Sequence, residues 1–165
     1  MGAVVGREAV MQAAQNSFIS SSYFTERIGP AAAVATLKKI KQENVQEKIV
    51  SNGRRIRDAW QRLGDRHHLK VTVNGRPGLM VMVMGFDHGK EGQVFRTLFT
   101  QEMLDRGFIA SNSCYPNFTM TDGILDAYFA ALDEVFPILA EAADKGDVIS
   151  HLRGPVAHAD FRRLT

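Results

Sequence analysis

One cysteine in 165 residues, Cys114, excludes an internal disulfide framework and suits a reducing compartment, so a cytoplasmic location is expected. Five prolines and fourteen glycines are too few for a collagen-like or low-complexity chain. No apolar run approaches the roughly 18–20 residues that span a bilayer. The opening, Met1 to Glu8, lacks the basic start and long apolar stretch of a secretory leader. A membrane is therefore not an expected partner. Charge of one sign is lacking too: 20 basic side chains stand against 18 acidic ones, a net of +2, and the two signs are mostly interleaved. A nucleic-acid binder concentrates its Lys and Arg on one face, so nucleic acid is not expected either. The catalytic signatures G-x-S-x-G, H-E-x-x-H, the Walker loop and G-x-G-x-x-G are all missing.

What remains is 45% hydrophobic and 23% charged, the composition of a globular domain. A chain of about 150 residues buries roughly 68–70% of its unfolded surface, enough for a core without staples. Ala3-Val4-Val5, closed by Gly6, reads as a short strand, and Arg7 to Ala14 as a short helix. The hydroxyl-rich Asn16 to Gly29 reads as a loop. Pro30 then opens an alanine-rich helix running to about Gln42, with Asn44 placed to cap the next one. Val45, Ile49, Ile56, Trp60 and Leu63 recur as one buried helical stripe, stopped by Gly64. Val71-Thr72-Val73, the turn residues 74–78 and the apolar run 79–84 predict a hairpin whose second strand is covered on both faces.

Gln93 to Arg106 predicts a helix with Val94, Leu98 and either Met103 or Leu104 inward, ended by Gly107. Phe108-Ile109-Ala110 reads as a strand and 111–121 as an irregular loop. Thr121 or Asp122 caps a long last helix carrying Ile124, Leu125, Tyr128, Leu132, Val135, Phe136 and Leu139. This order predicts an α+β fold, a small antiparallel-rich sheet with packed helices.

Candidate chemical groups are scattered. Arg54, Arg55 and Arg57 form a basic cluster for which a solvated helix face is the favoured reading, with Asp58 spaced to pair with Arg54 and Arg62. His67 and His68 are adjacent, but no Cys or carboxylate ligands converge with them, and no metal site is assigned. Three methionines at spacing two, Met80, Met82 and Met84, read as strand packing. Cys114 lies in Ser111-Asn112-Ser113-Cys114-Tyr115-Pro116-Asn117 without a base nearby in sequence, so no catalytic residue is assigned. Arg153, Arg162 and Arg163 suit a carboxylate, with solvated surface favoured.

Two stretches carry more. Gly2-Ala3-Val4-Val5-Gly6-Arg7-Glu8-Ala9-Val10-Met11, followed by residues 18–33 (Phe18-Ile19-Ser20-Ser21-Ser22-Tyr23-Phe24-Thr25-Glu26-Arg27-Ile28-Gly29-Pro30-Ala31-Ala32-Ala33), resembles class III pyridoxal-phosphate-dependent aminotransferases, in particular the glutamate-1-semialdehyde 2,1-aminomutase-like branch. In that family a Gly-Ala-Val-Val-Gly-like strand shortly follows the lysine that forms the Schiff base. A Thr-x-x-x-x-Pro-x-Ala motif comes next, its threonine reaching the cofactor phosphate of the other subunit. The resemblance thus assigns a cofactor-binding role to Thr25, and a hydroxyl in a loop of small residues suits a phosphate. Glu26 and Arg27 depart from the small or aromatic residues common after this threonine.

The resemblance implies the C-terminal small domain of a fold-type I enzyme, with the large α/β domain absent. It implies residues 1–29 as a remnant of large-domain strand and dimer/phosphate loop, 30–63 as connecting helices and 64–165 as the small domain. The family's lysine, pyridine-nitrogen acid and ring-stacking aromatic belong to the large domain, and Lys38 and Lys39 do not match the lysine position. The expected function is therefore that of a portion of a pyridoxal 5'-phosphate enzyme of amino-group transfer or 1,2-amino migration. Its substrates would be an amino acid and a keto or semialdehyde compound. Alone, the chain is expected to form no covalent cofactor adduct and to be inactive. The alternative is a non-enzymatic dimerisation or partner-binding domain. Either reading expects a homodimer or other self-association through apolar surface such as Val4 and Val5.

Overall fold

The computed structural model describes residues 2–17, 26–78 and 92–158, together with the backbone of 82–86. Contacts divide the chain into two units, Met1–Val45 and Gln46–Thr165.

In the first unit α1 (Glu8–Met11) runs into a 3-10 turn (Gln12–Asn16), and α2 spans Ile28–Gln42. Residues 2–7 are irregular, so the expected strand at 3–5 does not form. A strand needs a neighbour for its backbone groups, and Val4 and Val5 are instead 84% and 88% exposed. The helix after Pro30 ends where its composition predicts, and Pro30 sits in the first turn, where a missing N–H costs nothing. None of its residues is buried. Asn44, directly before the next helix, takes a left-handed φ of 48° in the turn after α2.

The second unit holds the core. Helix α3 (Val45–Arg66) buries Ile56, Ala59, Trp60 and Leu63 on one stripe. Gly64 does not stop it. The helix continues to Arg66, and Gly64 is instead a buried contact, where an added Cβ would lie 3.0 Å from Cβ of Val71. The chain turns at His68 (φ 54°), with the Leu69 N–H donating to the Gly64 carbonyl at 3.0 Å.

The sheet order is β1-β2-β3, both pairings antiparallel. β1 (Val71–Asn74) pairs with β2 (Met82–Phe86) in the register Val71 opposite Phe86. β3 is only Ser113–Cys114, set against Val83 and Met82. The chain is mostly helical, and its strands are 4, 5 and 2 residues long, less sheet than the expected antiparallel-rich arrangement. The predicted strand at 108–110 is replaced by a turn: Phe108 N–H reaches back to Met103 O at 2.9 Å, and Ala110 N–H to Phe108 O at 2.9 Å. With two of its three amides spent locally, this segment leaves the sheet edge to residues 113–114. The expected strand start at 79–81 lies outside the described residues.

Helix α4 (Gly92–Asp105) buries Val94, Phe95, Leu98, Phe99 and Met103, which settles the inward position as Met103; Leu104 is 50% exposed. Helix α5 (Asp122–Lys145) is capped by Thr121, whose Oγ1 accepts from the Ile124 N–H at 3.4 Å, and ends at Gly146 with φ 65°. Its stripe from Leu125 through Leu132, Val135, Phe136 and Leu139 to Ala142 packs into the same core as Trp60 and Phe99. Burying each such large side chain contributes about 1.5–3 kcal/mol. At the surface, Arg66 pairs with Asp133 at 2.9 Å and Arg106 with Glu134 at 2.9 Å, tying both neighbouring segments to the acidic face of α5.

The C-terminal segment is strapped to α4 by a ladder at i, i+4 and i+8. Gln93 Nε2 donates to Ala157 O (2.8 Å), and Thr97 Oγ1 accepts from Ala157 N–H (3.0 Å). Gln101 Nε2 donates to His151 O (3.0 Å), while its Oε1 accepts from Arg153 N–H (2.8 Å). One face of the helix thereby satisfies a segment that has almost no regular structure of its own.

Candidate functional site

Thr25, the one site residue assigned from sequence, lies outside the described residues, as do Arg162 and Arg163. Its neighbour Glu26 is described. The Glu26 carboxylate accepts from the backbone N–H of Ile28 and, at 2.8 Å, from that of Gly29. The free amides at the start of α2, the natural place for an anion, are thus held by the chain's own acid. A phosphate beside them would meet a carboxylate.

The basic cluster disperses. Arg55 pairs with Asp122 at 2.6 Å and Asp126 at 3.3 Å on α5 and lies 5.7 Å from the Phe129 ring centre. Arg57 takes Asp58 at 3.0 Å, so the expected Asp58 pairs with Arg54 and Arg62 are replaced by a neighbour in sequence. Arg55 bridges helices and is no phosphate claw. Among the described residues no three His, Cys, Asp or Glu groups converge as metal ligands. Arg153 is held by Asp105 at 2.7 Å.

Cys114 does join a defined site. With Ile56, Phe108, Ala110, Met120, Leu125 and Tyr128 it lines a largely apolar cavity of about 260 Å³. Burial pushes the Cys114 thiol up to about 11 from its ordinary 9.0, so it is a protonated, packed thiol at neutral pH. Tyr128 is also raised, chiefly by burial; the Trp60 indole N–H, donating to its oxygen at 3.0 Å, acts in the opposite direction. Among the described residues lining this cavity there is no His, Asp, Glu or Lys. This lining suits apolar matter.

Sequence reasoning missed Asn52. This side chain is 2% exposed, and its Nδ2 donates to Asn117 O at 3.1 Å and Met120 O at 2.9 Å, holding the loop before α5 against α3. The signal was present: position 52 falls in the gap of the apolar stripe between Ile49 and Ile56. Beside it Gly53 allows a close approach, since an added Cβ would lie 2.9 Å from Gly78 N and 3.2 Å from Pro116 Cγ.

A cofactor aldehyde needs a lysine. Lys38, Lys39, Lys41, Lys70 and Lys145 are exposed, Lys48 is half-buried, and none contributes to the wall of the cavities described above or below. The described residues therefore do not by themselves fit pyridoxal phosphate.

No family model and no curated protein matches the chain. Among solved structures it is similar to the FumI protein of Sphingopyxis sp. MTA144, determined in its PLP internal aldimine form, with a TM-score of 0.69 and 19% sequence identity. The match covers 85% of this chain but 34% of that one, so the chain spans about a third of the length of the protein it matches. At this identity the likeness shows the fold: the chain is built like part of a PLP-containing protein.

Proposed function

We propose that this chain is the C-terminal portion of a PLP-dependent enzyme that moves amino groups, an aminotransferase or an aminomutase of the glutamate-1-semialdehyde type. The observation that carries the reading is the backbone likeness to one third of a PLP protein. The resemblance of residues 2–11 and 18–33 to class III aminotransferases agrees with it. In the complete enzyme the cofactor supplies an electron sink for the amino acid, and a lysine outside this chain supplies the covalent anchor. The part taken by this chain is positional. The packed second unit forms a small domain over the substrate, and the Thr25 hydroxyl contacts the cofactor phosphate of the other subunit. Because Glu26 holds the Ile28 and Gly29 amides, that contact rests on the hydroxyl and not on the helix end.

The direct test is borohydride trapping. The purified chain is incubated with equimolar PLP, reduced and peptide-mapped. The reading expects no single lysine to be modified stoichiometrically and no transamination of an added amino acid. One saturable adduct with its aldimine absorbance overturns it.

A second reading, a stand-alone partner-binding or dimerisation domain, is favoured by the apolar exposure of the first unit. Val34 and Leu37 on α2 are 52% and 65% exposed. Gel filtration across a hundredfold range of concentration tests it, and a clean monomer throughout counts against it.

A further inference from the structure

Beside the strap-holding ladder of α4 runs a second stripe, Arg96, Thr100 and Leu104, again at i, i+4 and i+8. It lines a groove of about 550 Å³ together with Ile109, Ala110 and Ser111 and with Arg153 and Ala157. The chemistry here is uneven. Arg153 is neutralised by Asp105 at 2.7 Å. Arg96 is half-buried, and among the described residues it has no carboxylate within ion-pairing distance; its Nε donates to Ser111 Oγ at 3.4 Å. Ser111 in turn donates to Asn112 Oδ1 at 3.2 Å, so its oxygen is committed to accepting from Arg96. The two terminal nitrogens of this planar fork, suited to a carboxylate, make no ion pair with the described residues. Among the described lining residues two arginines against one aspartate leave one positive charge, while Leu104, 50% exposed, and Ile109, 98% exposed, add hydrocarbon.

We propose that this groove binds a monoanionic aliphatic carboxylate. Its head group sits on the Arg96 fork beside Thr100 and Ser111, and its chain lies along Leu104 and Ile109. A single uncompensated charge and an apolar floor match a carboxylate with a tail better than they match a phosphate, which brings more charge and no hydrocarbon. Nothing in this inference depends on the cofactor reading above.

The experiment is a titration of the full chain with hexanoate, followed by backbone amide shifts at Arg96, Thr100, Ser111 and Ala157. Hexanol and inorganic phosphate serve as the two half-ligands. Saturable shifts with a Kd on the order of millimolar are expected for hexanoate, as for a ligand of this size. Arg96→Gln should weaken binding about tenfold or more. Asp105→Asn frees Arg153 and should tighten it severalfold, a direction that damaged folding does not imitate. N-acetyl-leucine in place of hexanoate distinguishes the terminus of a peptide from a free acid as the source of the carboxylate; saturable millimolar binding of either at these amides supports the site. Hexanol shifting the same amides as strongly, phosphate matching hexanoate, or Asp105→Asn leaving the affinity unchanged overturns the proposal.

Discussion

The two units of this chain are made from similar residues and differ in what those residues touch. Residues 46–165 bury Trp60, Phe95, Phe99, Met103 and Phe136 completely. No described residue of the first 45 is buried, although α2 carries Ile28, Val34, Leu37 and Ile40. Helix propensity alone shapes α2, whereas tertiary packing shapes α3, α4 and α5. The apolar residues of α2 thus have no buried face among the described residues, and Val34 and Leu37 stay 52% and 65% exposed.

The comparison is broken most violently by truncating the core. Phe136→Ala should cost about 3–5 kcal/mol of unfolding free energy, whereas Leu37→Ala in α2 should change it by less than about 0.5 kcal/mol. Urea denaturation of the two variants measures both. Equal losses would mean that the units share one core.

Next in size is Asn52, the buried polar clamp of the second unit. Asn52→Ala leaves two loop carbonyls unpaired and should cost about 1–3 kcal/mol. Asn52→Asp should cost more at neutral pH, since a carboxylate would face the carbonyls of Asn117 and Met120. Its folded pKa would lie above the unfolded value near 3.9, so that extra loss should vanish below about pH 4 and grow as the pH rises. Denaturation midpoints at pH 4 and 7 check the sign.

Tyr128→Phe should cost about 1–3 kcal/mol by removing the acceptor of the buried Trp60 N–H. Thermal melts and the Trp60 emission spectrum report it.

The smallest effect is chemical. With its thiol raised from 9.0 to about 11, Cys114 should react with iodoacetamide at pH 8 on the order of a hundredfold slower than an ordinary cysteine. The native state holds its proton over the range where the unfolded chain releases one, so this group's contribution to stability is intact below pH 9 and is lost as the pH climbs towards 11. Stopped alkylation assays in buffer and in denaturant give the ratio.

Much of the second unit was legible in the sequence because its signals are periodic. The stripe of α3 from Ile56 onward, that of α5 from Leu125 onward and the inward face of α4 follow from spacing, while Val45 and Ile49 are only half-buried and Ile124 is 49% exposed; the turn at 74–78 follows from its composition. The failures have physical causes. Val4 and Val5 look like a strand, but strand formation is a property of pairs and none of the described residues pairs with them. Phe108-Ile109-Ala110 has strand composition, yet local hydrogen bonds to Met103 and Phe108 take its amides. Gly64 has the composition of a stop, and only the nearness of Val71 reveals it as a contact. Of the candidate site, the arginines were visible as charges, but their partners on α5 lie some 70 residues away and no local rule finds them. The Arg96 groove combines a helix stripe, a loop and the C-terminal strap, three segments that sequence keeps apart.

Amide hydrogen exchange on the full chain, at a concentration where it is monomeric, tests the contrast between the two units most directly. The account predicts that amides in α3, α4 and α5 exchange only through global unfolding, while those of α2 exchange orders of magnitude faster, at rates close to an isolated helix. Protection of α2 equal to that of α5 in the monomer would contradict it.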